Sequence, residues 1–245
     1  MTSPGLRIAV AILRTLLLHM MVLIPLITLI GSMDRGLSLV GALPNLIQLF
    51  LPLALATASA AVLASARCSG EWDLSSMLGY TAGLRLAPAL TGALLLGICG
   101  LLWSGTNGPL NGTNSAAILN PLPAPIESGV SIIRIDGRWK TADLSLWSSR
   151  PAELSLPELM ERLAAARPEG LRRGPDRAEL CRRLGWSLAL PLAIACGAAC
   201  ALRGRRPSPS GRERYRLTAP LHAGLLIGLW LLTVLLGSSW LSAQL

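Results

Sequence analysis

The stretch that decides the fold is Leu46–Ala66, LIQLFLPLALATASAAVLASA, which contains no charged residue. Its length suffices for a helix to cross the hydrocarbon core of a bilayer. Arg67–Asp73 (RCSGEWD) ends this apolar run, a compact segment Leu74–Arg85 follows, and Leu86–Trp103 is apolar again. The pattern predicts two membrane spans that are joined by a short cytoplasmic helix.

The connecting helix is predicted within residues 69–83. Ser69 is expected to cap it, and Glu71 and Asp73 fall in its first turn, where carboxylates stabilise the positive end of the helix dipole. Three apolar residues then follow the i, i+3, i+4 spacing that places side chains on one helix face. They are Leu74, Met77 and Leu78.

Two interpretations of this segment stay open. A short amphipathic helix between two spans is a suitable shape for docking against a soluble partner. Alternatively, the segment is a tight interfacial turn whose charges are simply solvated.

The composition indicates an integral membrane protein. The 245 residues are 52% hydrophobic and 14% charged, and the mean hydropathy is +0.54. The net charge of +9 would suggest nucleic acid in a soluble protein, but here much of it flanks membrane spans, where orientation and anionic headgroups explain it. The single Phe and the absence of aromatic residues interleaved with basic ones also argue against nucleic-acid binding.

Three further apolar stretches complete the predicted topology. Thr15–Gly31 is the first span, Leu184–Leu202 the fourth and Leu217–Trp240 the fifth. With the N-terminus in the cytoplasm, ten arginines flank cytoplasmic span ends, as the positive-inside rule favours. These are Arg7, Arg14, Arg67, Arg85, Arg203, Arg205, Arg206, Arg212, Arg214 and Arg216.

The segment between the third and fourth spans is expected to lie outside the cytoplasm. Asp136-Gly137 stands between two alternating stretches, which is a strong signal for a two-residue β-hairpin turn. Ser155 and Glu158 have the spacing of a capping box, with Pro157 in the first turn of the helix that would follow. The fold class is therefore an all-α polytopic membrane protein of about five spans, with a small extracytoplasmic segment that contains a β-hairpin.

The residues offer no enzyme site. No Asp or Glu lies inside the five predicted spans, and the sequence has no P-loop, His-Glu-x-x-His or Gly-x-Ser-x-Gly motif. Cys196 and Cys200 lie one helical turn apart but have no His, Asp or Glu near them in sequence to complete a metal site. We expect them to serve as small apolar packing residues, and we expect any ATP hydrolysis to come from another chain.

Two stretches carry a family resemblance. The first is Leu51–Ala56 through Arg67, followed by Glu71-x-Asp73-Leu74 and Leu84-Arg85. The second is Leu154–Leu159, then the charged run Arg177–Leu184 and the Leu-Pro motif Leu190–Ala193. In order and spacing they resemble the permeases of the lipopolysaccharide-export ABC transporter, the LptF/LptG (YjgP/YjgQ) family.

The resemblance implies a half-transporter in the inner (cytoplasmic) membrane with a cytoplasmic N-terminus. Its partners would be a cytoplasmic ABC ATPase dimer, a second permease of the same family, a lipid substrate and a periplasmic bridge protein. It would bind no cofactor itself, because ATP is used by the partner subunit. The implied domains are a three-span bundle (1–103), a reduced periplasmic domain (104–176), in the place of the family's jellyroll-like domain, and a two-span segment (177–245).

Candidate site residues follow from this interpretation. At the ATPase surface, Arg67, Glu71 and Asp73 would supply charge, and the three apolar residues of the connecting helix would supply a plug. Because a guanidinium binds phosphate through a planar fork, the candidates for lipid phosphate are Arg35, Arg182 and Arg183. The competing explanation is that these arginines anchor span ends by snorkelling to the interface.

One alternative function comes from a different class. The family usually has six spans and a larger external domain, whereas this sequence shows five spans and a short external segment. A non-transporting membrane scaffold that keeps the permease architecture fits that pattern. An enzyme acting on lipid headgroups would require a polar cluster at one interface, and the sequence shows none.

Overall fold

The computed structural model describes residues 3–33, 39–103, 130–135, 138–143, 151, 154–164, 174–203 and 207–243. The helices are α1 (Pro4–Met33), α2 (Leu39–Ser69), α3 (Glu71–Met77), α4 (Ala82–Trp103), α5 (Leu156–Ala164), α6 (Gly174–Leu202) and α7 (Arg212–Ala243). The strands are β1 (Val130–Ile135) and β2 (Arg138–Asp143), and a 3₁₀ turn covers Pro209–Gly211.

Five helices of the described residues are long and apolar enough to cross a membrane. The five stretches are Pro4–Pro25, Phe50–Ser69, Ala82–Leu102, Gly174–Leu202 and Pro209–Ser242. The chain is thus a multi-pass membrane protein, as its composition predicts. The helix of the fourth predicted span, α6, begins at Gly174, before the predicted start of the span at Leu184. The acidic side chains in its first turns form ion pairs with arginines.

The chain divides into two compact units. The first contains Met1–Ile98 and Trp186–Leu232, and the second contains Cys99–Gly185 and Thr233–Leu245. They are described separately below.

The core of the first unit consists largely of small residues. Ala56 and Ala60 of α2 lie in one buried cluster with Ala189 and Ala193 of α6. Gly197 fits against α2 so closely that a Cβ built on it would lie 1.9 Å from the Ser59 Oγ and 3.0 Å from the Ala56 carbonyl oxygen. Between membrane helices, such small residues allow the close backbone approach on which association depends.

Larger apolar residues complete this core. Ile12 of α1 and Ile227 and Leu231 of α7 join the same cluster. Cys196 and Cys200 pack against it, in agreement with the packing role predicted for them.

In the second unit, the amphipathic helix α5 is attached to the beginning of α6. The predicted capping box is confirmed, since the Glu158 N–H donates to the Ser155 Oγ at 3.3 Å and the Ser155 N–H donates to the Glu158 Oε2 at 2.7 Å. Leu159 is fully buried. The Arg162 Nε donates to the Asp176 Oδ2 at 3.1 Å and so ties α5 to the first turn of α6.

The strands β1 and β2 pair in antiparallel register, with Val130 opposite Asp143 and Ile135 opposite Arg138. The Asp136-Gly137 turn, the candidate residue Arg35 and most of the predicted external segment lie outside the described residues. The jellyroll-like relationship therefore stays a prediction.

Several polar side chains in the long helices bond to their own helix. The His19 Nδ1 lies 2.7 Å from the Thr15 carbonyl oxygen, and the His222 Nδ1 lies 2.7 Å from the Thr218 carbonyl oxygen. Because a carbonyl oxygen can only accept, each Nδ1 carries the proton of this bond. The Ser239 hydroxyl bonds in the same way to the Leu235 carbonyl oxygen at 3.0 Å.

Candidate functional site

The short helix α3 connects α2 to α4, at the position predicted for the connecting helix. Its N-cap position is Gly70, with φ of 83°, and not Ser69 as predicted. The Ser69 Oγ nevertheless accepts a hydrogen bond of 3.5 Å from the Glu71 N–H in the first turn of α3. Ser69 still belongs to α2, and its hydroxyl donates to the Ala66 carbonyl oxygen at 3.0 Å. The left-handed conformation at the junction requires a residue without a Cβ, and glycine meets that requirement.

The predicted 69–83 segment is not one helix. α3 ends at Met77, with Leu78 as its C-cap, and Gly79 has φ of 86°. α4 then begins at Ala82. A second left-handed glycine therefore separates α3 from the following span.

The three apolar residues of α3 and its C-cap project away from the protein. Leu74 is 61%, Met77 84% and Leu78 70% exposed, and no residue of α3 is buried. Tyr80 and Leu84 extend this exposed apolar surface toward α4. We call these five residues the apolar face of the connecting segment.

The predicted charged residues lie beside that face but differ in their surroundings. Glu71 is exposed, whereas Asp73 is half-buried. Arg67 points toward the end of α6, where its Nη1 donates to the Ala201 and Arg203 carbonyl oxygens at 3.3 and 3.4 Å. Arg67 thus satisfies carbonyl groups that the last turn of a helix leaves without partners.

Sequence reasoning missed Arg85 as a site residue. Its side chain is 3% exposed and its guanidinium carbon lies 3.7 Å from the centroid of the Trp72 ring. The Nη1 donates to the Trp72 carbonyl oxygen at 2.7 Å and to the Ser75 Oγ at 2.6 Å, and the Nη2 donates to the Ser76 Oγ at 2.8 Å. The signal in the sequence is a Trp and a Ser-Ser pair on the connecting helix, followed by an arginine at the start of a span.

Basic residues surround the same end of the first unit. The Cys68 Sγ lies 4.0 Å from the Arg212 carbonyl oxygen, and the Tyr215 hydroxyl donates to the Ala201 carbonyl oxygen, so α2, α6 and α7 meet here. The side chains of Arg203, Arg214 and Arg216 are exposed. This end of the helices therefore combines an apolar face with a positively charged border.

The two described candidates for lipid phosphate are engaged by Glu179 in the second unit. Arg182 binds it through two bonds of 2.8 Å, and the Arg183 Nε donates to it at 2.7 Å. The Arg183 Nη2 also donates to the Leu154 carbonyl oxygen at 2.9 Å. Arg183 is almost fully buried, whereas the Arg182 side chain is 41% exposed.

Within the described residues, no group of three or more His, Cys, Asp or Glu side chains is arranged to hold a metal ion. No protein-family model matches the chain, and no curated protein matches it at a significant level.

Proposed function

We propose that the protein is the permease subunit of an ABC-type exporter that moves lipopolysaccharide or a related glycolipid out of the inner membrane. A separate ATPase supplies the energy, and a second permease completes the membrane part. The chain resembles LptF/LptG permeases in the motifs quoted above, and its multi-pass architecture is consistent with that role. Its reduced external segment, with one hairpin, takes the place of the jellyroll-like domain.

The observation that carries the proposal is the apolar face of the connecting segment. Most surface helices turn their apolar side chains toward the core, whereas α3 presents Leu74 and Met77 outward and buries none of its residues. Exposed apolar surface bordered by polar residues is typical of protein–protein contact sites. A solvated turn would not require apolar residues at these positions.

The proposal assigns a role to each of these residues. Met77 and Leu78 enter a groove of the ATPase, and Glu71 and Asp73 contribute charge next to them. Arg67 holds the ends of α2 and α6 together beneath this surface. With the N-terminus in the cytoplasm, the ATPase reaches α3 from the same side as the basic border.

The test is co-purification of the tagged protein from membranes in mild detergent. Met77→Glu places a charge at the most exposed position of the face, where no packing is lost. Met160→Glu is the matched control, because Met160 is also exposed on an amphipathic helix but belongs to the second unit. We expect an ABC ATPase with the native chain and with Met160→Glu, and its loss with Met77→Glu. Equal recovery with all three proteins, or no ATPase with any, would contradict the proposal.

A non-transporting scaffold is the second candidate, and the engagement of Arg182 and Arg183 by Glu179 favours it. A guanidinium that already binds a carboxylate is less available for a lipid phosphate. The same preparation separates the two functions. A permease co-purifies with bound glycolipid and supports ATP-dependent release of it, whereas a scaffold retains its protein partners without either property.

A further inference from the structure

The helix α3 has few of the usual sources of helix stability. It has seven residues and none of them is buried. Isolated helices of this length are unstable in water, and most helices in proteins are stabilised by packing of an apolar face. The outward face of α3 makes no such contribution, and only Trp72 on its other face packs on a buried cluster, so polar contacts must also hold the helix.

Arg85 supplies those contacts from the first turn of α4. Its guanidinium donates to the Trp72 carbonyl oxygen and to both hydroxyls of the Ser75-Ser76 pair, and its central carbon lies over the Trp72 ring. Its Nε donates to the carbonyl oxygen of Thr81, the residue before α4, at 3.3 Å. Asp73 adds electrostatic attraction from the same short helix. Hydrogen bonds from a charged donor are among the stronger ones in proteins.

We propose that Arg85 is the positioning residue that joins α3 to α4, so that a displacement of α3 by a partner is passed to the third span. The backbone on either side of α3 contains a left-handed glycine, Gly70 or Gly79, and the guanidinium bridges the second of these junctions. The Trp72 side chain also packs on a second buried cluster, which contains Leu63 of α2 and Ala201 of α6. This contact fixes the position of α3 relative to these helices. The transmission part of this inference rests on the proposed function, whereas the positioning part does not.

The positioning part is tested on the full chain in lipid nanodiscs, without any partner. Arg85→Gln removes the charge and the fork, and Ser75→Ala/Ser76→Ala removes two of its acceptors. Arg177→Gln is the control for loss of one positive charge, because Arg177 is exposed and belongs to the second unit. We expect Arg85→Gln to increase hydrogen exchange of the amides of residues 71–78 by about tenfold. The double Ser variant should have a smaller effect, and the control none.

A spectroscopic readout separates positioning from general destabilisation. The seven tryptophans are labelled as 5-fluorotryptophan, and Trp72→Phe assigns one ¹⁹F resonance to Trp72. Arg85→Gln should move this resonance and leave the other six in place, because the cation leaves only the Trp72 ring. Arg85→Lys retains a cation and should restore part of the shift. Unchanged exchange in α3, or a uniform increase that includes residues 90–97 of α4, would overturn the inference.

The transmission part is tested in the complex with the captured ATPase. We expect Arg85→Gln to lower ATP turnover per captured complex by about tenfold, and Arg177→Gln to leave it unchanged. Unchanged turnover in Arg85→Gln would show that α3 does not act through this contact. If the native chain captures no ATPase, the proposed function fails, and the exchange and ¹⁹F results still decide the role of Arg85.

Discussion

Two contacts of the first unit represent opposite ways of joining helices. α2 and α6 meet through Gly197, Ser59 and alanines, with backbones so close that no side chain fits between them. α3 is attached to α4 through one guanidinium, one aromatic ring and two hydroxyls, and it buries none of its own residues. The first contact depends on shape and the second on a few directional bonds.

The two contacts differ in how much displacement of the helices they allow. Close-packed small residues lose their contacts at once when the helices separate, so such a contact is held in one arrangement. A guanidinium on a flexible stem can keep its partners through a small displacement. α2 and α6 are thus joined rigidly, and the connecting helix is joined by bonds that tolerate adjustment.

The largest loss of stability is expected at a guanidinium contact that is also buried, which is the contact of Glu179 with Arg182 and Arg183. Glu179→Gln removes the carboxylate that binds both Arg182 and Arg183, and loss of one partner of a buried ion pair costs about 3–5 kcal/mol. Glu161→Gln is the control, because Glu161 is exposed on α5. Denaturation in detergent, followed by circular dichroism, measures both. If Glu179→Gln and Glu161→Gln unfolded at the same denaturant concentration, burial would not determine how much these polar contacts contribute to stability.

A smaller but clear effect is expected at the small-residue contact itself. Gly197→Ala forces a Cβ against the Ser59 Oγ and the Ala56 carbonyl oxygen, and overpacking of this kind costs about 1–3 kcal/mol. Gly228→Ala is the matched control, since a Cβ there meets no atom within 4 Å. The same denaturation assay applies. Adding Ser59→Ala to Gly197→Ala should recover part of the loss, and no recovery would place the strain in the backbone instead.

The smallest effect concerns a polar contact that is fully exposed. Hydrogen bonds from the Ser155 hydroxyl and from the Ser155 backbone N–H lower the pKa of Glu158 below its ordinary value. Because the pKa is lower in the folded protein, the capping box stabilises α5 fully at pH values above the ordinary Glu pKa of about 4.3. This stabilisation is lost as the pH falls through the lower pKa of the folded state. Amide exchange of α5, corrected for intrinsic rates, should increase below that point. Glu158→Gln should abolish the pH dependence, and persistence of it would assign the effect to another group.

The sequence predicts the local features of this protein well. The apolar runs predict the spans, the Ser155–Glu158 spacing predicts the capping box, and the period of Leu74, Met77 and Leu78 predicts a shared face. Each of these depends on residues within one or two helical turns. The prediction placed the cap one residue too early, because α2 continues through Ser69 and Gly70 takes the N-cap position, although the Ser69 Oγ still accepts a bond from the Glu71 N–H.

The long-range contacts could not be predicted in the same way. Arg67 and Ala201, or Ser59 and Gly197, are far apart in sequence and meet only because α2 lies against α6. Arg85 reads in the sequence as one more basic residue at a span end, and only the positions of Trp72 and the two serines give it a further role. For the same reason, the occupation of Arg183 by Glu179 and Leu154 was not visible beforehand.

The bonds that His19 and His222 make to their own helices have a consequence for biosynthesis. Because each imidazole proton is bonded one turn back along the same helix, neither helix needs a neighbour to satisfy it. A segment of this kind can leave the translocon and enter the bilayer alone, before the remaining helices have been made. Insertion and assembly can thus be separate events, and the helices can be brought together after each has already been accepted by the lipid.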